Sequence, residues 1–327
     1  MKIPNFFIIG APKTGTTALA TYLSEHPRIY MSPVKEPHFF ATDIPRPSWI
    51  HDRERYLGLF RNVTGEHLAV GEASVWYMFS NAAVKNIYEF NPDAKIIAML
   101  RNPVELVPSL HSQLLFSMCE DEASLLSAWR LQGERADGRG LPKAVKNGRI
   151  PARCLQYAQV AKLGEQLERV LAVFPEKQVH VILHDDFKAD PAKVYLETLA
   201  FLGVPPDGRL DFPPVNENKV LRYQWLGNPI NNGSWLGGVI LGLKRWLGLP
   251  SMGLIGRMAK LNARQAKRVP LDSGLRDELA YEFRDDVRRM GELLGRDLSF
   301  WLSASERQMA RTESEKEKKS DAVDRVS

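Results

Sequence analysis

Four short apolar runs alternate with helical patterns along the chain. They cover residues 6–9, 68–72, 95–100 and 179–183. A predominantly apolar run of this length is typical of a strand buried on both faces of a parallel sheet. The alternation with helical patterns therefore predicts an α/β fold, in which a parallel sheet is flanked by helices.

The helical patterns lie between and after these runs. A helix is predicted to begin at Thr16, and another at Pro103, where Val107, Leu110 and Leu114 form one apolar face. Further helices are expected over 152–174, up to about residue 203 and over 275–294, so the C-terminal part is helical. Residues 28–43 contain two prolines and are expected to form a loop, and residues 44–67 a connecting or substrate-facing insertion. Residues 120–150 are expected to be a mobile surface region.

The first strand and helix are joined by a turn that suits an anion. Gly10 ends the strand, and residues 10–15 combine glycine, proline and threonine before the helix begins. The first turn of a helix has free N–H groups and a positive dipole end, and glycine allows the backbone to approach a phosphate. Lys13 adds a charge there, and Thr16 and Thr17 add hydroxyl donors.

This loop is of the P-loop type but departs from the ATPase form. Gly10 and Gly15 have the P-loop separation, yet Thr16 stands where the lysine is required, and the lysine lies inside the loop at Lys13. A nucleoside triphosphate site also needs an acidic residue for magnesium at a neighbouring strand end, whereas the strand over 95–100 ends in Arg101. The loop is therefore predicted to hold phosphate with protein cations and without a metal.

Composition narrows the class of protein. The 327 residues are 44% hydrophobic and 25% charged, as in an ordinary soluble globular protein. The two cysteines, Cys119 and Cys154, provide neither a disulfide framework nor metal spacing, which fits a reducing, cytoplasmic location. The apolar start of the chain is too short for a signal peptide and leads directly into the phosphate loop, so it is interpreted as the first strand.

Charge is distributed unevenly along the chain. The net charge is +5, and nine lysines and arginines but no acidic residue lie between Asn218 and Leu271. Within this region, residues 235–268 form a basic amphipathic segment, which could lie on an anionic membrane surface, cover the core or form a groove for an acidic glycan. We expect no nucleic acid partner. Residues 303–327 are predicted to be a disordered tail, after a domain over 1–302.

The residues at 12–17, Pro-Lys-Thr-Gly-Thr-Thr, resemble the 5′-phosphosulfate loop of the sulfotransferases that use 3′-phosphoadenosine 5′-phosphosulfate (PAPS). Arg101 and Ser109, eight positions apart, are similar to the 3′-phosphate motif of the same family. The resemblance implies PAPS as co-substrate and no metal. It implies that the nucleotide is bound by Lys13, Thr14, Gly15, Thr16, Thr17, Arg101 and Ser109, with Lys219 and Arg222 as further contacts.

The pattern Lys-Glu-Pro-x-Phe-Phe at 35–40 is similar to one in the glycosaminoglycan-type sulfotransferases, where the glutamate is the catalytic base. The resemblance therefore assigns Glu36 as the base and Lys13 to the departing phosphate. His38 is the alternative base, because a histidine beside Glu36 can also accept a proton at neutral pH. Glu72 is a candidate acceptor contact or a structural group. Trp76 and Tyr77 are expected to stack on adenine or line the acceptor pocket. Those relatives commonly carry a lysine where this chain has Ala73, which argues against a polysaccharide acceptor.

The resemblance implies transfer of a sulfuryl group from PAPS to a hydroxyl, or less readily an amine, of a lipid, glycan or small molecule. Two alternatives stay open. One is a nucleotide or adenylyl-sulfate kinase of the P-loop class. The other is a non-catalytic nucleotide-binding protein that docks to the inner face of a membrane.

Overall fold

The computed structural model describes residues 3–213, 215, 219–221, 263–265 and 271–302. Most of the basic amphipathic segment 235–268 and the whole tail 303–327 lie outside these residues, so their predicted roles stay predictions. Among the described helices, none is long and apolar enough to cross a membrane.

A five-stranded parallel sheet forms the centre of the fold and confirms the predicted α/β architecture. Its strands stand in the order β2-β3-β1-β4-β5. A separate antiparallel pair joins β6 to β7. The strand bounds are β1 Phe6–Gly10, β2 Ile29–Met31, β3 Ala69–Ser74, β4 Lys95–Leu100, β5 Val179–Leu183, β6 Lys219–Leu221 and β7 Ala263–Gln265. The short strand β2 lies inside the segment predicted to be a loop.

The position of β1 explains where a ligand can bind. Its residues pair with β3 on one side, Phe7 opposite Glu72, and with β4 on the other, Gly10 opposite Met99. After β1 the chain forms β2 and β3 on one side of β1, and it then crosses to the other side to form β4. This change of side opens a crevice at the carboxyl ends of β1, β3 and β4. The phosphate loop follows β1 and therefore lies at this crevice.

Helices cover both faces of the sheet. Their bounds are α1 Thr16–Ser24, α2 Arg53–Gly58, α3 Ala83–Phe90, α4 Pro103–Phe116, α5 Leu125–Arg130, α6 Gln132–Ala136, α7 Lys143–Lys146, α8 Tyr157–Ala161, α9 Leu163–Leu171, α10 His184–Ala189, α11 Pro191–Leu202 and α12 Ser273–Leu294. Short 3-10 turns cover Ala152–Leu155, Glu176–Gln178 and Ser299–Trp301.

The side chains of β1 point alternately into two apolar cores, one on each face of the sheet. Phe7 and Ile9 belong to the larger core, which also contains residues of α4, α9 and α12. Phe6 and Ile8 belong to a smaller core with residues of α1 and α11. Successive side chains of a strand point to opposite faces, so a fully apolar β1 supplies both cores at once.

Two predictions about the middle of the chain are wrong. Residues 120–150 are not merely a surface region, because Glu120 and Arg135 form a buried two-pronged ion pair at 2.6 and 2.8 Å, to which Tyr157 donates a further hydrogen bond. The predicted single helix over 152–174 is a 3-10 turn followed by α8 and α9. Hydrophobic periodicity does not reveal the break between α8 and α9, because buried residues recur at helical spacing in both helices.

Two acidic residues at the start of α10, directly after β5, have structural partners. Asp185 accepts a hydrogen bond from the Trp301 indole at 2.6 Å, and Asp186 forms a two-pronged ion pair with Arg296. These contacts attach the end of the described chain to α10, next to the carboxyl edge of the sheet.

Gly71 gives a direct test of the sheet. A methyl group on its Cα would lie 2.4–2.6 Å from three ring carbons of Phe6. Gly71→Ala is therefore expected to lower the free energy of unfolding by about 1–3 kcal/mol, the usual effect of overpacking a core. Urea denaturation would measure this change. Gly65→Ala is the control, since a methyl group there meets nothing within 4 Å. Equal stabilities of the two variants would contradict the packing of β3 on β1.

Candidate active site

A cavity of about 950 Å³ opens at the carboxyl edge of the sheet. It is bounded by the loop after β1, the residues after β2 and β3, the end of β4, α4 and the start of α10. The polar side chains that line it are Lys13, Thr16, Thr17, Lys35, Glu36, Arg46, Arg101, Ser109, Ser112, Gln113, Ser117, His184 and Lys188. The structure thus brings together residues predicted separately from three distant motifs.

Glycine is required at both ends of the phosphate loop. A Cβ on Gly10 would lie 2.7 Å from the Met99 carbonyl oxygen, and Gly15 has a φ of 100°. Lys13, between them, also has a positive φ, of 75°. Such a backbone is unfavourable for a residue with a side chain, and this strain is typical of functional loops. Helix α1 begins without a side-chain cap, so no such cap competes with an anion for its first N–H groups.

The two threonines next to Gly15 have different environments. The Thr14 hydroxyl donates to the Ala11 carbonyl at 2.9 Å, and the residue is fully buried and does not line the cavity. Thr16 lines the cavity, as does Thr17. Of the predicted threonines, Thr14 therefore shapes the loop with its side chain, and any contact with a ligand would come from its backbone N–H.

Arg101 and Ser109 both line the cavity. Arg101 follows β4, and its guanidinium donates to the Lys13 carbonyl at 2.9 Å, so it also holds the phosphate loop. Ser109 is buried in the second turn of α4. Side chains on a helix tilt toward its N-terminus, and the beginning of α4 lies beside Arg101. A guanidinium and a hydroxyl in this arrangement can bind one phosphate group.

Glu36 also lines the cavity and has a φ of 61°. Its carboxylate is paired with Lys35 and is 3.5 Å from His38 Nε2. Burial alone would raise the pKa of Glu36, but the hydrogen bond to His38 and the charge of Lys35 lower the pKa to about 2. With this pKa the carboxylate is ionised at neutral pH, and its side chain, which is 37% exposed, is open to the cavity.

His38 lies behind Glu36. Its side chain is 2% exposed, does not line the cavity, and packs on the Trp49 ring at 4.1 Å between centroids. Burial lowers the pKa of His38, so the imidazole is neutral at pH 7. An acceptor in the cavity would therefore meet Glu36 before His38, and the placement favours Glu36 as the base.

Glu72 is fully buried and does not line the cavity. Tyr56 and Tyr77 donate to its Oε1 at 3.0 and 2.8 Å, and Ser74 donates to its Oε2 at 2.6 Å. Burial raises the pKa of Glu72 to about 7, against the effect of these three donors. The placement agrees with the structural alternative for Glu72 rather than with an acceptor contact.

The two aromatic residues that follow β3 also differ in whether they reach the cavity. Trp76 lines the cavity, whereas Tyr77 is fully buried and faces Glu72. Sequence reasoning missed Arg46, His184 and Lys188, which also line the cavity. His184 directly follows β5, so its strand-end position is a signal that could have identified it, whereas Arg46 comes from the irregular segment after β2.

The two remaining predicted contacts cannot be placed. Arg222 lies outside the described residues, and so does the side chain of Lys219. Only the backbone of β6, which begins at Lys219, is described, and it lies beside α4.

The chain is similar to known sulfotransferases in sequence and in structure. Residues 4–224 match the family model of the sulfotransferase domain. The crystal structure of a sulfotransferase from Alicyclobacillus acidocaldarius superposes with a TM-score of 0.67 and 31% identity, covering 92% of this chain and 99% of that one.

Curated relatives are carbohydrate-modifying enzymes by name. The human bifunctional heparan sulfate N-deacetylase/N-sulfotransferase 3 is 28% identical over 308 residues, which cover 92% of this chain and 31% of the relative. Mouse carbohydrate sulfotransferase 15 is 32% identical over 251 residues, which cover 62% of this chain and 44% of the relative. The chain thus spans about a third to a half of these relatives. It belongs to the sulfotransferase domain family and is an enzyme of that PAPS-dependent family.

Proposed function

We propose that this enzyme transfers the sulfuryl group of PAPS to a hydroxyl of a carbohydrate acceptor. The observation that carries the proposal is the single cavity lined by Lys13, Arg101, Ser109 and Glu36. Phosphate-binding groups and an ionised carboxylate thus share one space large enough for a nucleotide and part of an acceptor.

The phosphate loop, Arg101 and Ser109 would bind the 5′- and 3′-phosphate groups of PAPS. Lys13 and the first N–H groups of α1 are placed to stabilise negative charge on the departing 5′-phosphate. Arg101 and Ser109 would bind the 3′-phosphate, which ATP lacks. Since Arg101 also bonds to the Lys13 carbonyl, it couples the two phosphate sites.

The reaction proposed is an in-line displacement at sulfur. The acceptor oxygen forms a bond to sulfur while the bond from sulfur to the 5′-phosphate oxygen breaks, and 3′-phosphoadenosine 5′-phosphate (PAP) departs. The acceptor proton passes to the Glu36 carboxylate. Lys35 pairs with Glu36 and would keep the carboxylate ionised until the acceptor arrives.

The cavity residues other than the proposed nucleotide contacts are suited to a carbohydrate acceptor. Trp76 supplies an apolar surface, and Lys35 and Arg46 supply hydrogen-bond donors within the same cavity. The names of the curated relatives agree, although they include an N-sulfotransferase, so an amine is the second acceptor to test. The cations Lys35 and Arg46 supply positive charge in the cavity, although Ala73 replaces the lysine common in glycosaminoglycan-type enzymes.

A labelled transfer assay tests the proposal. The protein is incubated with ³⁵S-PAPS in separate reactions that contain heparosan, N-deacetylated heparosan, chondroitin, a phenol or lipid vesicles. Label in heparosan or chondroitin would support the proposal, and label only in N-deacetylated heparosan would indicate an amine acceptor. Label only in phenol or lipid would contradict the acceptor class. Magnesium-dependent ATP turnover would indicate a kinase. Binding of PAP without transfer to any acceptor would indicate a non-catalytic protein.

Nucleotide selectivity gives a separate prediction. Arg101→Ala is expected to weaken PAP binding by about 1.5–3 kcal/mol, the scale of a charge-assisted hydrogen bond. Binding of adenosine 5′-phosphate, which lacks the 3′-phosphate, should weaken less, and only because the phosphate loop loses its bond to Arg101. Isothermal titration calorimetry with both ligands measures the difference.

Ser109→Ala isolates the 3′-phosphate contact, because Ser109 is not part of the phosphate loop. The expected loss is about 1 kcal/mol for PAP and none for adenosine 5′-phosphate. Ser24→Ala is the control, since the Ser24 hydroxyl donates to the Thr21 carbonyl and Ser24 does not line the cavity. If each variant lost the same binding free energy for PAP as for adenosine 5′-phosphate, Arg101 and Ser109 would not be the 3′-phosphate contacts.

A further inference from the structure

The fully buried carboxyl group of Glu72 has no role in the mechanism above. It lies in β3 opposite Phe7, whose side chain belongs to the larger apolar core. A carboxylate in such surroundings is strongly unfavourable unless hydrogen bonds satisfy it. The three hydroxyl groups of Tyr56, Ser74 and Tyr77 provide these bonds.

Two of these hydroxyls also accept hydrogen bonds from the segment that carries the base. Ser74 Oγ accepts from the His38 amide at 3.2 Å, and Tyr77 Oη accepts from the Phe40 amide at 3.3 Å. The third hydroxyl, of Tyr56, donates to Glu72, while its ring stacks on Phe39 at 4.4 Å. No bond from that hydroxyl to the backbone of residues 36–40 is found in the described structure.

In the ionised form of Glu72 the direction of these bonds is fixed, because a carboxylate only accepts hydrogen bonds. A hydroxyl has one hydrogen to donate and two lone pairs that accept. Because Glu72 takes the hydrogen from Ser74 and from Tyr77, each hydroxyl turns its lone pairs toward a backbone N–H. A neutral amide in place of the carboxylate would donate to one hydroxyl and turn that hydroxyl's hydrogen toward the N–H group.

The segment held in this way needs support. Glu36 has a φ of 61° and His38 a φ of 53°, both in the left-handed region that residues with side chains avoid. Such a conformation persists only when surrounding contacts enforce it. The Glu36 amide donates to the Ala73 carbonyl at 3.0 Å, and the amides of His38 and Phe40 complete the attachment to β3 and the turn after it.

We infer that Glu72 is a positioning residue, which orders residues 36–40 through the hydroxyls of Ser74 and Tyr77 and so places the Glu36 carboxylate in the cavity. The inference rests on the proposed function for its catalytic consequence. Its structural part, the ordering of the segment, does not depend on any substrate.

The test compares hydroxyls that accept a hydrogen bond from the backbone of residues 36–40 with one that does not. Tyr77→Phe and Ser74→Ala each remove one link, and Tyr56→Phe is the matched control, because it removes a donor to Glu72 and leaves both links in place. All three changes are conservative, whereas Glu72→Gln endangers folding. Thermal unfolding of each variant establishes that the fold is retained.

Amide hydrogen exchange measures the ordering directly. In Tyr77→Phe the Phe40 amide, and in Ser74→Ala the His38 amide, should exchange at least about tenfold faster than in the wild-type protein. Tyr56→Phe should leave both rates within about twofold. Equal acceleration in Tyr56→Phe and Tyr77→Phe would overturn the inference, because Glu72 would then be only a core group.

Turnover with ³⁵S-PAPS and the polysaccharide labelled in the transfer assay measures the consequence. The kcat of Tyr77→Phe and Ser74→Ala should fall about ten- to a hundredfold, the effect of a misplaced catalytic group, with unchanged PAP affinity. Faster exchange without a loss of kcat would overturn the catalytic part. If the wild-type protein transfers no sulfuryl group, the proposed function fails, and the exchange rates alone decide whether Glu72 orders the segment.

Discussion

Glu36→Gln is expected to lower sulfuryl transfer about 10²–10⁴-fold, the usual contribution of a general base. Glutamine keeps the shape of the side chain and cannot accept a proton. Glu36 lies in the cavity and is ionised at neutral pH, since the His38 hydrogen bond and the Lys35 charge outweigh the effect of burial on its pKa. Steady-state transfer from ³⁵S-PAPS to the labelled acceptor measures the loss.

PAP binding provides the internal control for this variant, because Glu36 is not among the residues proposed to contact the nucleotide. The affinity of Glu36→Gln for PAP should be nearly that of the wild-type protein. His38→Ala should have a smaller effect on turnover, since His38 is buried behind Glu36. Normal turnover in Glu36→Gln together with complete loss in His38→Ala would identify His38 as the base instead.

Lys13→Ala is expected to lower kcat about 10²–10³-fold, the loss seen when one donor to a developing charge is removed. Lys13 lines the cavity and lies between Gly10 and Gly15 in the loop that follows β1. Its charge is needed most when negative charge accumulates on the departing phosphate. PAP affinity should therefore fall much less than kcat, as measured by calorimetry and transfer kinetics.

A surface lysine serves as the control for charge alone. Lys85 lies on α3 and forms an exposed pair with Glu89, so Lys85→Ala should leave both kcat and PAP affinity unchanged. If Lys13→Ala weakened PAP binding as much as it lowered kcat, Lys13 would be a binding residue without preference for the transition state.

Strained backbone at this site illustrates a limit of sequence reasoning. Lys13, Glu36 and His38 all have positive φ values, although none is glycine. Steric preference alone predicts the opposite conformation for each of them. The conformation is imposed by contacts such as the bond from Arg101 to the Lys13 carbonyl, which joins residues 88 positions apart.

The local pattern of the chain was sufficient to predict the elements that carry the proposed nucleotide contacts. Apolar runs predicted β1, β4 and β5, and glycine and proline marked the phosphate loop and the start of α4. Arg101 follows from its place at a strand end, because parallel strands bring their carboxyl ends to one edge. These features depend on neighbouring residues, so they could be predicted without the fold.

The tertiary structure decided which polar residues reach the cavity and which are buried. Adjacent residues Trp76 and Tyr77 diverge, one toward the cavity and one toward Glu72. Glu120 and Arg135 are buried together in a region whose composition predicted surface. The physical reason is that a polar group can be buried only where partners satisfy it, and those partners come from distant parts of the chain.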